Sequence, residues 1–200
     1  MSVPDSRGLT PAGRFEACIG AGGVAVFPAD TVYGLACHPE IPAAVERLYA
    51  LKGRPPDKPA AVMFFDRDVA FAALPELGPR TRAYLERLLP GAVTVLVPNP
   101  NRRFPLAGET LGLRVPDLPR FAGVRTPVLQ SSANLAGGPD ARRLDEVPEE
   151  IRAGADLVID GGELGGTPST VVDLRDYELD GALTVVRAGA VPEAVVRSLA

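Results

Sequence analysis

The chain has no tryptophan, a single histidine (His38), two cysteines (Cys18 and Cys37) and two methionines in 200 residues. One histidine and two separated cysteines cannot by themselves build a four-ligand Cys/His zinc site. No apolar run reaches the ~18–20 residues that a membrane span needs, so no membrane partner is expected. Met1 to Gly8 is polar and carries no apolar signal core, which argues against secretion and for a cytoplasmic location. Free thiols are then the simplest state for the cysteines. Cys37 beside His38 could suggest a nucleophile and its base. Neighbouring side chains rarely face each other, however, and no segment supplies an oxyanion hole, so a structural role is expected. A net charge of −4 excludes a generic nucleic-acid coat. Lysine is scarcest in relation to its kind: of 21 cationic residues only Lys52 and Lys58 are lysines, and both flank Arg54.

What is present is close to half hydrophobic, enough for one domain with a substantial core. Proline and glycine, 21 of each, are spread as punctuation between short elements. Thr10-Pro11 reads as an N-cap with proline at the first helical position, opening a helix to about Gly20 that buries Phe15, Cys18 and Ile19. Pro42 opens a second helix with Val45, Leu48 and Tyr49 on one face. Pro79 opens a third that buries Tyr84, Leu85, Leu88 and Leu89. Strands are expected at 24–27, 60–65, 93–97, 111–115, 128–130, 157–159, 170–174 and 183–186. Shorter helices are expected at 118–122, at 145–153 and from Pro192. Strands alternate with helices at first and follow one another later, which predicts a mixed sheet with helices against it. No G-x-G-x-x-G follows the first strand and no G-x-x-x-x-G-K-[ST] occurs, so neither a dinucleotide fold nor a P-loop is supported.

Four segments are polar where packing does not require it. Pro28-Ala29-Asp30-Thr31-Val32-Tyr33-Gly34-Leu35 leaves the first strand, where α/β proteins hold ligands. Thr31 offers a hydroxyl; Asp30 could equally cap a turn and Tyr33 could simply pack. Lys52 to Pro59 sets three cations in a proline-stiffened loop, whose mutual repulsion a polyphosphate would offset. Ser131-Ser132-Ala133-Asn134, followed by Gly137-Gly138, permits close backbone approach to a ligand or forms an ordinary Ser/Asn turn. Gly165-Gly166-Thr167-Pro168-Ser169-Thr170 places small hydroxyls at the mouth of another strand. Arg114, inside an apolar run, and Arg187 are each either sheet-edge charges or members of a site.

P-A-D-T-V-Y-G-L, K-G-R-P-x-x-K-P, L-P-G-x-x-T, L-R-V-P, S-S-A-N-x-x-G, D-G-G, P-S-T-V-V-D-L and V-R-A-G-A follow one another from about Val24 to Val191. Each motif alone is weak, but in this order and spacing the series resembles the YrdC/TsaC family of threonylcarbamoyl-AMP synthases, in the short single-domain form. The resemblance implies an α/β fold, a twisted mixed sheet with flanking helices and a concave basic cavity. It implies condensation of L-threonine, bicarbonate and ATP, with pyrophosphate as the second product. Lys52 and Arg54 would serve the reacting phosphates. Arg54, Lys58, Thr110, Ser132, Asn134 and Arg187 would contact the nucleotide. Thr31, Arg114 and Ser169 would hold threonine. Magnesium would enter with ATP, with no carboxylate cage for a protein-bound metal. The product would pass to separate threonylcarbamoyl transferase proteins that modify tRNA, and weak tRNA binding is left open.

The series departs from the family at Ala29 and Ala136, where members often carry Thr and Ser. It departs again at Met63, where some long-form members place a histidine near threonine. The chain also leaves no room after Ala200 for the long form's second domain. The rivals are a module that binds RNA in the same concavity, and a paralogue with another carbamoyl substrate. Acidic net charge and the lack of tryptophan and of basic-aromatic interleaving argue against the first. The homologues that transfer other carbamoyl groups are much longer chains with zinc fingers, which this chain lacks, and a stand-alone paralogue with another carbamoyl substrate stays open.

Overall fold

A computed structural model describes residues 8–55, 60–104 and 108–200. The first helix, α1 (Pro11–Gly20), opens where Thr10 accepts the Gly13 amide with its side chain and Pro11 needs no hydrogen bond. α2 (Pro42–Lys52) also begins on proline and stops at Gly53, whose φ of 60° is the left-handed conformation that closes a helix. α3 (Arg67–Ala73) is capped by Asp66, which accepts the amides of Asp68 and Val69. α4 (Pro79–Leu88) is the third helix to start on proline. Shorter helices follow as α5 (Glu149–Gly154), α6 (Tyr177–Asp180) and α7 (Glu193–Ser198).

The strands are β1 (Ala25–Pro28), β2 (Tyr33–Cys37), β3 (Ala61–Met63), β4 (Val93–Pro98), β5 (Thr110–Arg114), β6 (Val128–Ser132), β7 (Leu157–Val158), β8 (Thr170–Asp173) and β9 (Thr184–Arg187). Among the described residues they form one nine-stranded mixed sheet in the order β7-β1-β2-β6-β3-β5-β4-β8-β9. β1 and β2 pair antiparallel as a hairpin, so Tyr33–Cys37 is a strand and not part of a loop. The segment lacks the β-branched residues that usually signal a strand, and packing on both faces overrides that weak propensity. α3 was likewise absent from the sequence expectation, although the Asp66 cap was there to be read.

Side chains alternate across a strand, and residues paired across neighbouring strands share a face. On one face Val62, Leu113, Val95, Leu129 and Val172 join the large core, where α2, α4 and α5 add Leu48, Leu85 and Ile151. The other face is split. At the β1 end Phe15 and Ile19 of α1 pack with Phe27, Met63, Phe121 and Val128. Farther along, the same face carries Gly34 and Ser132, Ala61 and Gln130, Gly112, Thr94 and Arg114. That half is small and polar, and it forms the floor of a hollow instead of a seat for a helix.

Candidate functional site

Six of the residues singled out by sequence line a single cavity of about 260 Å³: Thr31, Arg54, Arg114, Ser132, Ser169 and Arg187. That is close to the lower end of small-molecule sites, ~300–1,000 Å³. Their positions span most of the chain, and the sheet order brings them together. Thr31 sits in the β1–β2 turn and Arg114 ends β5. Ser132 ends β6, Ser169 precedes β8, and Arg187 ends β9.

Arg114 is buried, with only 5% of its surface exposed, and its guanidinium is held on two sides. Nη1 donates to Gln130 Oε1 at 2.7 Å, and Nη2 donates to Asp30 Oδ1 at 2.6 Å. Burial draws this guanidinium below its ordinary value, and the Asp30 carboxylate offsets part of that cost. Arg114 is therefore an ion-paired group in the site, not a sheet-edge charge. Its Nε, Thr31 Oγ1 and Asp30 Oδ2 are buried without a hydrogen-bond partner among the described residues. Buried polar atoms are rarely left so unless something else satisfies them.

The opposite wall is built by the end of the chain folding back over the Ser169 loop. Arg187 Nη2 donates to Ser169 O at 2.7 Å, and Ser169 Oγ lies 2.9 Å from Thr94 Oγ1. Ala190 N donates to Pro168 O, while Thr170 Oγ1 exchanges hydrogen bonds with Val191. Gly189 crosses so close to Pro168 and Ser169 that a Cβ would run into their backbone.

Lys52 takes a different place from the one expected. Its ammonium does not line the cavity. It donates to Asn134 Oδ1 at 2.6 Å, Ser132 O at 2.7 Å and Asn134 O at 2.9 Å, and it is 3% exposed. Asn134 Oδ1 also accepts from Ser132 Oγ at 2.6 Å, and Asn134 Nδ2 donates to Gly138 O. Asn134 is thus spent on holding its own loop. Burial, then neighbouring Arg54, push the Lys52 ammonium down to about 8, while Asp140 pulls it back up. Gly53 separates the two cations of the motif: Lys52 closes a helix against the core side, and Arg54 turns outward to the cavity, its Nη1 3.5 Å from Ser131 Oγ. Thr110 begins β5 opposite Pro98, and it is not among the cavity residues. Lys58 lies outside the described residues.

The Sua5/YciO/YrdC family model, described as "Telomere recombination", matches residues 17–189. The chain belongs to the Sua5/YciO/YrdC family. It is 37% identical over 171 residues to the threonylcarbamoyl-AMP synthase of Chromohalobacter salexigens, covering 81% of this chain and 91% of that protein. It is 34% identical over 168 residues to the synthase of Bacillus subtilis, covering 76% of this chain but only 47% of that longer protein. Sua5 of P. abyssi in complex with L-threonine superimposes with a TM-score of 0.81 at 26% identity, covering 94% of this chain and 57% of that one. E. coli YciO gives 0.74 at 27% identity, covering 90% and 89%. The Chromohalobacter salexigens relative, which this Sua5/YciO/YrdC chain covers almost end to end, is a threonylcarbamoyl-AMP synthase, a nucleotidyltransferase.

Within this family frame several residues in or beside the cavity were given no role by the sequence, Thr94 among them. Gln130 and Asp30 grip Arg114, and Asp140 lines the cavity. Only strand register puts Gln130 on the cavity face, and a lone Asp after Gly-Gly-Pro gives no sequence signal. Cys37 is fully buried and burial pushes its thiol up to about 12. His38 uses Nδ1 to accept the Glu40 amide, so the Cys37–His38 pair is no catalytic dyad. Met63 lies buried in the phenylalanine cluster and is the strand partner of Arg114 across β3 and β5. Among the described residues no helix is long and apolar enough to cross a membrane.

Proposed function

We propose that the chain joins L-threonine, bicarbonate and ATP into threonylcarbamoyl-AMP and pyrophosphate in this cavity. The observation that carries the proposal is the convergence of six motif residues from positions 31 to 187 on one hollow, in a chain that covers 91% of a synthase relative. The cavity is basic: Arg54, Arg114 and Arg187 line it with a single carboxylate, Asp140, among the described residues.

The chemistry asks little covalent work of the protein. The amine of threonine and bicarbonate form an N-carboxylate as water leaves. An oxygen of that carboxylate then attacks the α-phosphorus of ATP, and the bond to the bridging oxygen breaks as pyrophosphate departs. Positioning and neutralisation of charge supply the rate. Arg114 grips the amino-acid carboxylate, since its plane is already fixed by Gln130 and Asp30 and its Nε is unspent. Thr31 and Ser169 orient the rest of the amino acid from either side. Arg54 and Arg187 face the phosphates, and Ser132, whose hydroxyl proton goes to Asn134 Oδ1, lines the wall beside them. Lys52 acts through Ser132 and Asn134 as a positioning residue. Magnesium would enter with ATP, where it would neutralise charge on the phosphates. The product is a mixed anhydride suited to passing its acyl group to tRNA through separate transferase proteins.

Pyrophosphate release measured from ATP with both co-substrates, and with each left out, tests the proposal. Release that needs both L-threonine and bicarbonate is expected. Release indifferent to threonine would overturn the substrate.

A further inference from the structure

The cavity walls are rich in positive charge, yet the amino acid assigned to it carries a positive charge of its own. Three guanidiniums favour phosphates and a carboxylate and oppose an ammonium. Two acidic side chains lie near enough to matter. Asp30 has spent its charge on Arg114 at 2.6 Å and does not line the cavity. Asp140 does line it, together with Thr31, Arg54 and Arg114. Its backbone is fixed in place, because Ala141 O accepts the Tyr33 amide at 2.9 Å, and Ala141 is buried. That bond sets Asp140 against the start of β2, two residues beyond Thr31. Pro139 precedes it and limits the backbone further. Ser131 and Ser132 line the same cavity, so Asp140 shares it with both the Thr31 turn and the end of β6.

We propose that Asp140 takes the α-ammonium of the amino-acid substrate, so that the cavity selects a zwitterion over a plain hydroxy acid. Arg114 and Asp140 then form two poles: one fork for the carboxylate, one carboxylate for the ammonium. The α-carbon between them is oriented with its nitrogen on the side of the phosphates. This inference rests on the synthase reading given above and adds to it the group that recognises nitrogen.

The test is calorimetry on the wild-type chain and on Asp140→Asn with three probes: L-threonine, 2,3-dihydroxybutanoate, and ATP. The second probe is threonine with its ammonium replaced by a hydroxyl. Removing one carboxylate should move the probes in opposite directions. L-threonine should bind at least tenfold more weakly, as expected for a lost charge-assisted contact. The hydroxy acid and ATP, being anions, should bind unchanged or more tightly. Asn keeps the size and the hydrogen-bonding shape, so a folded variant is expected, and unchanged ATP affinity checks it. Equal weakening of threonine and the hydroxy acid would overturn the assignment and leave Asp140 as a general prop. Unchanged threonine affinity would overturn it too, leaving Asp140 as a counter-charge for Lys52 and Arg54. Failure of the wild type to bind threonine while ATP binds would overturn the synthase reading itself, and this inference with it.

Discussion

Replacing Lys52 with methionine separates a brace from a catalytic contact. Methionine fills the same stem but removes three donors from Ser132 O, Asn134 O and Asn134 Oδ1. The amide oxygen keeps Ser132 Oγ as a donor, so the two backbone carbonyls bear the loss. A buried acceptor left unmet costs ~1–3 kcal/mol, so the pair should cost about 2–4 kcal/mol, one of them being only partly buried. Domains of this kind hold ~5–15 kcal/mol in total, so the variant should still fold. With a urea slope of about 2–3 kcal/mol/M, the unfolding midpoint should fall by roughly 1 M. Turnover should fall in parallel, because Ser132 loses its position. A variant that unfolds at the wild-type urea concentration yet has lost turnover would refute the brace and put the ammonium on the reacting phosphates. The same residue gives a pH signature. Below about pH 8 Lys52 is charged in folded and unfolded chains alike. Between about 8 and its ordinary 10.5 the unfolded chain holds a proton that the folded chain lacks, so this group raises stability as pH rises. The neutral amine has two protons for three close oxygens. Hence kcat/KM should decline with a midpoint near pH 8 while this group's share of stability grows, and Lys52→Met should lack that limb.

Arg114→Lys should weaken L-threonine by about tenfold or more and ATP much less, because an ammonium cannot reproduce a fork held at Gln130 and Asp30; separate titrations check it, and equal weakening would indicate general damage. Both cysteines should resist alkylation at neutral pH, since burial raises Cys18 to about 11 and Cys37 to about 12, and a Cys18→Ser/Cys37→Ser chain that folds should keep its turnover. Gly189→Ala should disturb the Ser169 loop, because its Cβ would meet the backbone of Pro168 and Ser169. A thermal midpoint several degrees lower and weaker ligand binding are expected, and an unchanged midpoint would show that the crossing gives way easily.

Much of the architecture was legible because its punctuation is local. Pro11, Pro42 and Pro79 each sit where a helix needs no amide donor, and all three helices begin there. The apolar runs at 93–97 and 111–115 became β4 and β5 within a residue at each end. β2 was hidden because Gly34 and Ala36 are small for a strand, a choice explained by Phe27 and Gln130 pressing on Gly34. The site was legible as a set of residues and illegible as a set of directions. Lys52 and Arg54 are two positions apart, but a left-handed Gly53 between them sends one inward and the other to the cavity. Asn134 and Ser132 differ in the same way across one turn. Thr110 shares the sheet face of Gly112 and Arg114 and still lies off the cavity, which only register could tell. Gln130 and Thr94 joined the cavity for the converse reason.

The cavity's far wall has a consequence for how the molecule comes into being. Arg187 belongs to β9, the last strand of the sheet, and the segment just after it pins the Ser169 loop from residues made some twenty positions earlier. A growing chain therefore carries Thr31, Arg54 and Arg114 long before it owns a place to use them. Any contact through Arg187 or the pinned Ser169 loop has to wait for the closing strand. Any ligand that prefers the closed cavity then stabilises the finished fold as a whole. Saturation with substrate should act as a quality seal, protecting completed molecules from proteolysis and leaving chains cut before β9 unprotected.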